Sequence, residues 1–591
     1  MSRFRRTTGL PALGLVLPLV VLACILMAPA ASSQEATGRA FGESVDVVVV
    51  GVEAVVTDGQ GHRVPGLTPE DFRLLVDGRE VPVEYFAEVR DGLAQADRRA
   101  PGAAGAVDRV EPVPTNYLVF IDDYFNKGSR RDWMLDRMLE RLSELPAQDR
   151  MAVVAFDGDG IEVLAQWSDS RATLRSALLA AKNRPAKGLY RSHEWERRAA
   201  ERSSAPFASN WSWSNSRPPI VSVDANGTVR SVGPVTTAGE AFYEDNNSHT
   251  RTVLGTIGDT DDRLLDPFHD IWSQDLELHR VLTAVQSTMT VVPRPEGRNV
   301  LFLLAGAWPF GSPTTVLRPH EESILHSLPT GYGRQAPLDD LTMVLPVIDT
   351  ANLLGYTIYP VDVDGYRASV GSPDAFRQGT LRELAGSTGG RALLFGARKA
   401  ALETVVEDTR TYYSLGFTPE LSQDNAYHDI QVEVRRPDLD IRARAGYRDF
   451  ALETELDAVA ESVLQFGRDD GRAPGAGTLS VSLGTPQRRP KNTMKVPLTV
   501  EVPWSQITVL PEGAQSVGHL EIRLAARDRD GALSEVATVP VRVVRAGEQA
   551  PAEPLRWETD LLLRRTRHNL VVSVYDAPSG RVLTQVVSVG P

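Results

Sequence analysis

Residues 117–121, Tyr-Leu-Val-Phe-Ile, form an apolar run that ends abruptly on two carboxylates, Asp122 and Asp123. A short continuous run without polar alternation is the pattern of a strand buried on both faces. Met134, Leu135, Met138, Leu139, Leu142 and Leu145 then recur at helical spacing. A strand covered on both sides belongs in a layered α/β architecture, with helices packed above and below its sheet. In such open sheets ligands bind at the C-terminal ends of the strands. Asp122, Asp123 and Asn126, which sit at that end, are therefore the first candidate site.

The alternation continues downstream. The pattern predicts strands over residues 151–156, 161–164, 300–304, 357–363 and 392–395, and helices over 132–145, 171–182, 276–290, 338–354 and 380–385. Gly355 and Gly386 stand where helix C-terminal glycines belong, and Ser372-Pro373 is a helix-start signal. These elements predict a mostly parallel sheet over residues 112–405. Residues 190–270 interrupt the pattern. They are rich in Ser, Arg, Asn, Asp and Trp and have no apolar period. A long stretch of this kind inside a compact domain is either a mobile surface insertion or a functional loop. On the second reading Trp211 and Trp213 bind a partner or a sugar.

The flanks are β-rich. Residues 45–89 contain the β-branched run VDVVVVGVEAVV, a second strand at 71–76, the hairpin turn Asp77-Gly78 and a third strand at 81–86. Thr68 and Pro69 start a short helical turn between them. That is too little sheet to stand alone. Residues 412–417, 429–434 and 440–445 offer further strands, so residues 41–95 and 410–450 are expected to pair into one β unit built from both sides of the α/β region. Residues 91–110 read as a linker. Residues 451–476 are expected to be a helix and linker. Residues 477–591 show about seven short alternating runs in about a hundred residues, the pattern of an immunoglobulin- or fibronectin-like sandwich.

The first 33 residues form an export signal by pattern. Arg3, Arg5 and Arg6 precede an apolar run over 10–27, and small residues follow at 28–33. Cleavage is expected after Ala30 or a few residues later. The alternatives are an uncleaved membrane anchor and lipidation of Cys24, the single cysteine of the chain. The mature chain then carries no disulfide and works outside the cytoplasm, in the periplasm or secreted. A formal net charge of −14 argues against nucleic acid and anionic membrane surfaces as partners.

Taken together, residues 116–126, the helix after them, the run Asp149-Arg150-Met151-Ala152-Val153-Val154-Ala155-Phe156 and the run Arg298-Asn299-Val300-Leu301-Phe302-Leu303-Leu304 resemble a von Willebrand factor A domain. Val55-Val56-Thr57-Asp58, Pro65-Gly66-Leu67-Thr68-Pro69-Glu70-Asp71-Phe72, Thr388-Gly389-Gly390-Arg391-Ala392 and Tyr412-Tyr413-Ser414-Leu415-Gly416-Phe417 resemble the flanks of such a domain in bacterial VWFA-related proteins, common in Acidobacteria. The resemblance covers roughly residues 41–450. It implies a Rossmann-like A domain, flanked here by β-sandwich-like domains, in a multidomain α/β plus all-β chain. It also implies protein binding, often through a divalent metal held by Asp-x-Ser-x-Ser, a Thr, and an Asp in a later turn. Here Tyr124 and Asn126 replace the two serines, and Ala305 stands where the later Asp belongs. Asp122 carries over, with Asn126 as a second ligand of a degenerate site for magnesium or calcium, unless Asp259 or Asp261 completes the shell.

No nucleophile motif or phosphate loop is present in the sequence. His320 and His326 do not share a helix face as zinc-protease ligands do. The expected function is that of an exported, non-enzymatic binding or adhesion protein that takes no cofactor. Asp122, Asp123, Trp211 and Trp213 are its candidate ligand-binding residues. The competing readings are an extracytoplasmic hydrolase and a structural envelope component.

Overall fold

The apolar run becomes the central strand, Thr115–Asp122, of a five-stranded sheet. The structure is a computed structural model that describes residues 49–96, 111–191, 193, 220–223, 229–232, 266–308, 340–365, 373–466, 479–512, 515–529, 533–545 and 553–591. The export segment, Cys24, Trp211, Trp213, Asp259, Asp261, His320 and His326 lie outside these residues. No described helix is long and apolar enough to cross a membrane.

The sheet order is Tyr356–Asp362, Arg298–Ala305, Thr115–Asp122, Arg150–Phe156, Ile161–Ser168. The first four strands are parallel and the last is antiparallel. Every residue of Thr115–Asp122 is buried, because both faces are covered. Leu118 and Phe120 pack against helices Asp266–Val291, Asp340–Leu353 and Pro373–Ser387. Tyr117, Val119 and Ile121 pack against helices Gly128–Arg141, Arg171–Lys182 and Ala401–Arg410. Alternate side chains of one strand thus feed two separate cores, as the two-residue strand period requires.

The two flanks pair with each other. Val50–Asp58 lies antiparallel to both Tyr412–Phe417 and Leu439–Arg442, and Tyr412–Phe417 also pairs with Tyr85–Arg90. Phe72–Val76 pairs with Tyr427–Val434. Val52, Ala54, Phe72, Leu74, Tyr413, Leu415, Phe417 and Ile430 form the core between these strands. Asp77 and Gly78 both have positive φ, as a tight hairpin turn demands.

Beyond Phe466, two antiparallel sheets face each other. Leu498, Val500 and Val502 of Thr493–Val502 meet Leu520, Ile522, Val572 and Val574 of the opposite sheet. Helix Leu452–Phe466 packs Ala460, Val463 and Leu464 between Val291 of the long helix and Ala525, Val571 and Val586 of that sheet.

Several local expectations need correction. Residues 392–395 do not form a strand. Leu393 makes only an isolated bridge to Val361 before the 3-10 turn Phe395–Ala400. The helix glycine with positive φ is Gly389, not Gly386, because Pro373–Ser387 runs past the expected end. Residues 91–110 are not linker throughout, since Leu93–Ala96 pairs with Tyr85–Arg90. Within 190–270, Ile220–Val223 and Val229–Val232 form a hairpin, and helix Asp266–Val291 begins before the insertion ends. The overall class is mixed α/β with several antiparallel sheets.

Candidate functional site

The C-terminal edge of the parallel strands gathers Asp122, Asp123, Asn126, Asp362 and Asp364, all of them buried. A strand that stops on an aspartate leaves the next turn's N–H groups without partners. Asp122 supplies them: its Oδ1 accepts from the N–H of Tyr124 and of Phe125, both at 3.0 Å. Its Oδ2 accepts from the indole N–H of Trp308 at 2.7 Å. Burial pushes the Asp122 carboxyl up to about 7, against the pull of these donors.

Asp123 faces the other way. Arg131 Nη1 donates to its Oδ1 at 2.6 Å and Arg184 Nε to its Oδ2 at 2.7 Å. Arg131 is itself almost fully buried. It also donates to Asp132 and to the carbonyls of Lys182 and Arg184. Asp123 thus ties the first turn of helix Gly128–Arg141 to the end of helix Arg171–Lys182. Desolvation raises its carboxyl and the two guanidinium groups oppose that rise.

Asn126 donates from Nδ2 to the Leu304 carbonyl at 3.0 Å, while its Oδ1 is buried with no partner. Tyr124 lies edge-on to Phe125, with the Arg191 guanidinium 4.6 Å from its ring centroid. Asp362 accepts from Gly365 N–H and from Gln378. Asp364 lies 3.7 Å from Lys127, and its Oδ1 is buried without a hydrogen bond. Burial raises its carboxyl too.

Two glycines hold this turn in place. A Cβ on Gly306 would lie 2.4 Å from the Phe125 carbonyl carbon, and one on Gly188 would lie 2.1 Å from the Phe125 oxygen. Both neighbours are backbone, which cannot swing away. Gly306→Ala is therefore expected to cost about 1–3 kcal/mol through overpacking and to disturb the Trp308–Asp122 bond. A urea unfolding curve checks the first, and near-ultraviolet circular dichroism the second.

The structure brings together Asp122, Asp123 and Asn126, the expected residues, but each already has a protein partner. Sequence reasoning missed Arg131, Arg184, Trp308, Asp362 and Asp364. One signal was available for Arg131. A cation in the first turn of a helix opposes the macrodipole, so its presence there called for a nearby acid. Asp362 and Asp364 repeat the pattern of an apolar strand that ends on carboxylates.

No protein-family model and no curated protein matches the chain. Among solved structures, a pilus adhesin from Lactobacillus rhamnosus GG aligns at 8% identity and a TM-score of 0.23 over 88% of this chain and 58% of its own. A Bacteroides uniformis beta-glucuronidase aligns at 11% identity and a TM-score of 0.14, over 30% of this chain and 19% of its own. At these scores neither carries an argument about fold or function.

Proposed function

We propose that this chain is an exported, non-enzymatic binding protein. Its α/β unit, of von Willebrand factor A type, recognises a protein ligand without a metal at the strand end. One observation carries the reading: protein donors already occupy the carboxylates where such a metal would sit. Magnesium needs several well-placed oxygens in near-octahedral array. Asp122 spends Oδ1 on backbone N–H groups and Oδ2 on Trp308. Asp123 is committed to two arginines, and Ala305 offers no side-chain ligand. Only Asn126 Oδ1 remains as a free neutral oxygen in the turn. This donor set does not fit a magnesium site.

Calorimetric titration of the full chain with magnesium and calcium tests the metal half of the proposal. The expected result is no saturable heat that depends on Asp122. Micromolar magnesium binding that vanishes in Asp122→Ala overturns it. Partner capture from an envelope extract should survive EDTA. Turnover of peptide or glycan libraries by the purified chain would instead establish a hydrolase.

A further inference from the structure

A second group of ligand-type side chains lies away from the strand end, in the β unit made by the two flanks. Tyr427–Val434 and Gly446–Arg448 pair antiparallel, with His428 opposite Tyr447. Just outside this pairing, residues 422–426 fold over Asp449. The N–H groups of Ser422 and Gln423 both donate to Asp449 Oδ2, at 2.6 and 2.7 Å. Asn425 N–H donates to the Asp449 carbonyl, and Asp449 N–H to the Ala426 carbonyl. Asp424 Oδ1 accepts from Ala426 N–H at 2.9 Å. The result places one ligand atom each from Asp424, His428 and Asp449 within 4.8 Å of one another.

We propose that Asp424, His428 and Asp449 hold a divalent transition cation of the zinc type.

Three observations beyond proximity support this. The first is the imidazole. His428 Nδ1 lies 2.8 Å from Asp77 Oδ2. A carboxylate only accepts, so Nδ1 carries the proton and the lone pair sits on Nε2. That Nε2 is buried and has no hydrogen-bond partner. Leaving a buried acceptor unmade is costly, and a cation would satisfy it. Asp77 is itself held by Asp429 N–H at 3.0 Å, and Tyr447 stacks on the ring at 5.0 Å between centroids. A carboxylate behind one nitrogen fixes the tautomer and orientation of a metal-binding histidine.

The second is the state of Asp449. The side chain is deeply buried, at 4% exposure. Both hydrogen bonds it accepts fall on Oδ2, which leaves Oδ1 for a ligand. The third is charge. Among the described residues, no lysine or arginine forms an ion pair with Asp424 or Asp449. The nearby Arg448 is engaged by Asp349 at 2.6 Å. Two carboxylates this close repel unless a positive charge lies between them.

Two carboxylates and a neutral imidazole carry two negative charges, which matches a dication. The donor set is one nitrogen and two oxygens. Three protein ligands, with the exposed side of Asp424 open to water, suit zinc. Calcium calls for six to eight oxygens, more than these residues supply. Bound there, the cation would tie residues 422–426 to the strand pair beneath them.

The test uses the full chain stripped of metal with a chelator and titrated with zinc by calorimetry. Wild type is expected to bind zinc saturably and to melt at a higher temperature with zinc than without. Asp424→Asn, which keeps the bond to Ala426 N–H, and His428→Gln are expected to lose that binding and the melting shift. Asp77→Asn should weaken binding about 10- to 100-fold, the usual effect of removing a carboxylate behind a histidine ligand. Wild type that binds no zinc overturns the proposal, and so does Asp424→Asn with unchanged affinity. Should His428→Gln fail to fold, the exposed Asp424 position still decides the question.

Discussion

Asp123→Ala is expected to destabilise the fold by about 3–5 kcal/mol, the range found when one partner of a buried ion pair is removed. The carboxylate is fully buried between Arg131, 2% exposed, and Arg184, 14% exposed. Its loss leaves Arg131 charged and short of an acceptor inside the protein. The Asp132 carboxylate, 35% exposed, and the Lys182 and Arg184 carbonyls still take hydrogen bonds from Arg131, but Nη1 loses the fully buried carboxylate to which it donates. The structural consequence follows directly. The turn at 123–126, clamped by Gly188 and Gly306, loses its anchor to both helices on one face of the sheet. Urea unfolding followed by tryptophan fluorescence measures the effect. The double variant Asp123→Leu, Arg131→Met should recover part of the loss, because an apolar pair of similar volume can replace a buried ion pair at little cost. A single variant as stable as wild type would sink this account of the strand end.

Asp408→Asn is expected to lower stability by about 2–3 kcal/mol at neutral pH. That lies at or below the bottom of the roughly 3–5 kcal/mol range for a broken buried pair, because Arg63 and Arg442 are partly exposed. Asp408 lies on helix Ala401–Arg410 and is 5% exposed. Arg63 pairs with its Oδ1. Arg442 Nη2 reaches its Oδ2 at 2.5 Å, and the Tyr359 hydroxyl donates to the same oxygen at 2.6 Å. The group joins the flanking β unit to the parallel sheet, since Arg63 and Arg442 belong to the first and Tyr359 to the second.

The same network sets a pH dependence. Despite burial, the arginines and the tyrosine hold the Asp408 carboxyl down to about 2, from 3.8. A carboxylate depressed in the folded state stabilises above the unfolded value, and that contribution is lost as pH falls through the folded value. The window is therefore pH 4 down to 2, and the shift corresponds to roughly 2 kcal/mol. Wild type should lose its advantage over Asp408→Asn across that window and keep it above pH 5. Comparing the two chains isolates this carboxylate. Asp122, pushed up to about 7 by burial, shifts stability in the opposite sense between pH 4 and 7, but does so in both. Parallel stability curves for the two chains from pH 5 to 2 would contradict the assignment.

The sequence by itself determined the local elements wherever one period dominated. The unbroken apolar run at 117–121 marked a strand buried on both faces, and the Thr115–Asp122 strand is buried at every position. The alternation Asp429-Ile430-Gln431-Val432-Glu433-Val434 marked a half-buried strand. The short alternating runs after residue 477 marked two-sheet β structure. Each is a pattern repeated over two to four residues, and burial imposes it directly on the chain. The shortage of strands in each flank also pointed to their pairing. Signals failed where elements were short or Ala- and Gly-rich, as at Leu93–Ala96, which is ordered by its neighbour rather than by its own composition.

Only the tertiary structure decided what the strand-end carboxylates do. Asp122 and Asp123 were conspicuous in the sequence, but their chemistry depends on Trp308, 186 residues away, and on Arg184, 61 residues away. One arginine partner of Asp408 is more remote still, Arg63 at 345 residues, while Arg442 lies 34 residues away. The Asp77 that orients His428 is also remote, at 351 residues. A charged side chain far along the chain leaves no periodic trace, because any exposed position would tolerate it equally well. Its partner is chosen only when the sheet order brings the two together and water is excluded. Burial then makes an unpaired charge costly enough to fix the arrangement.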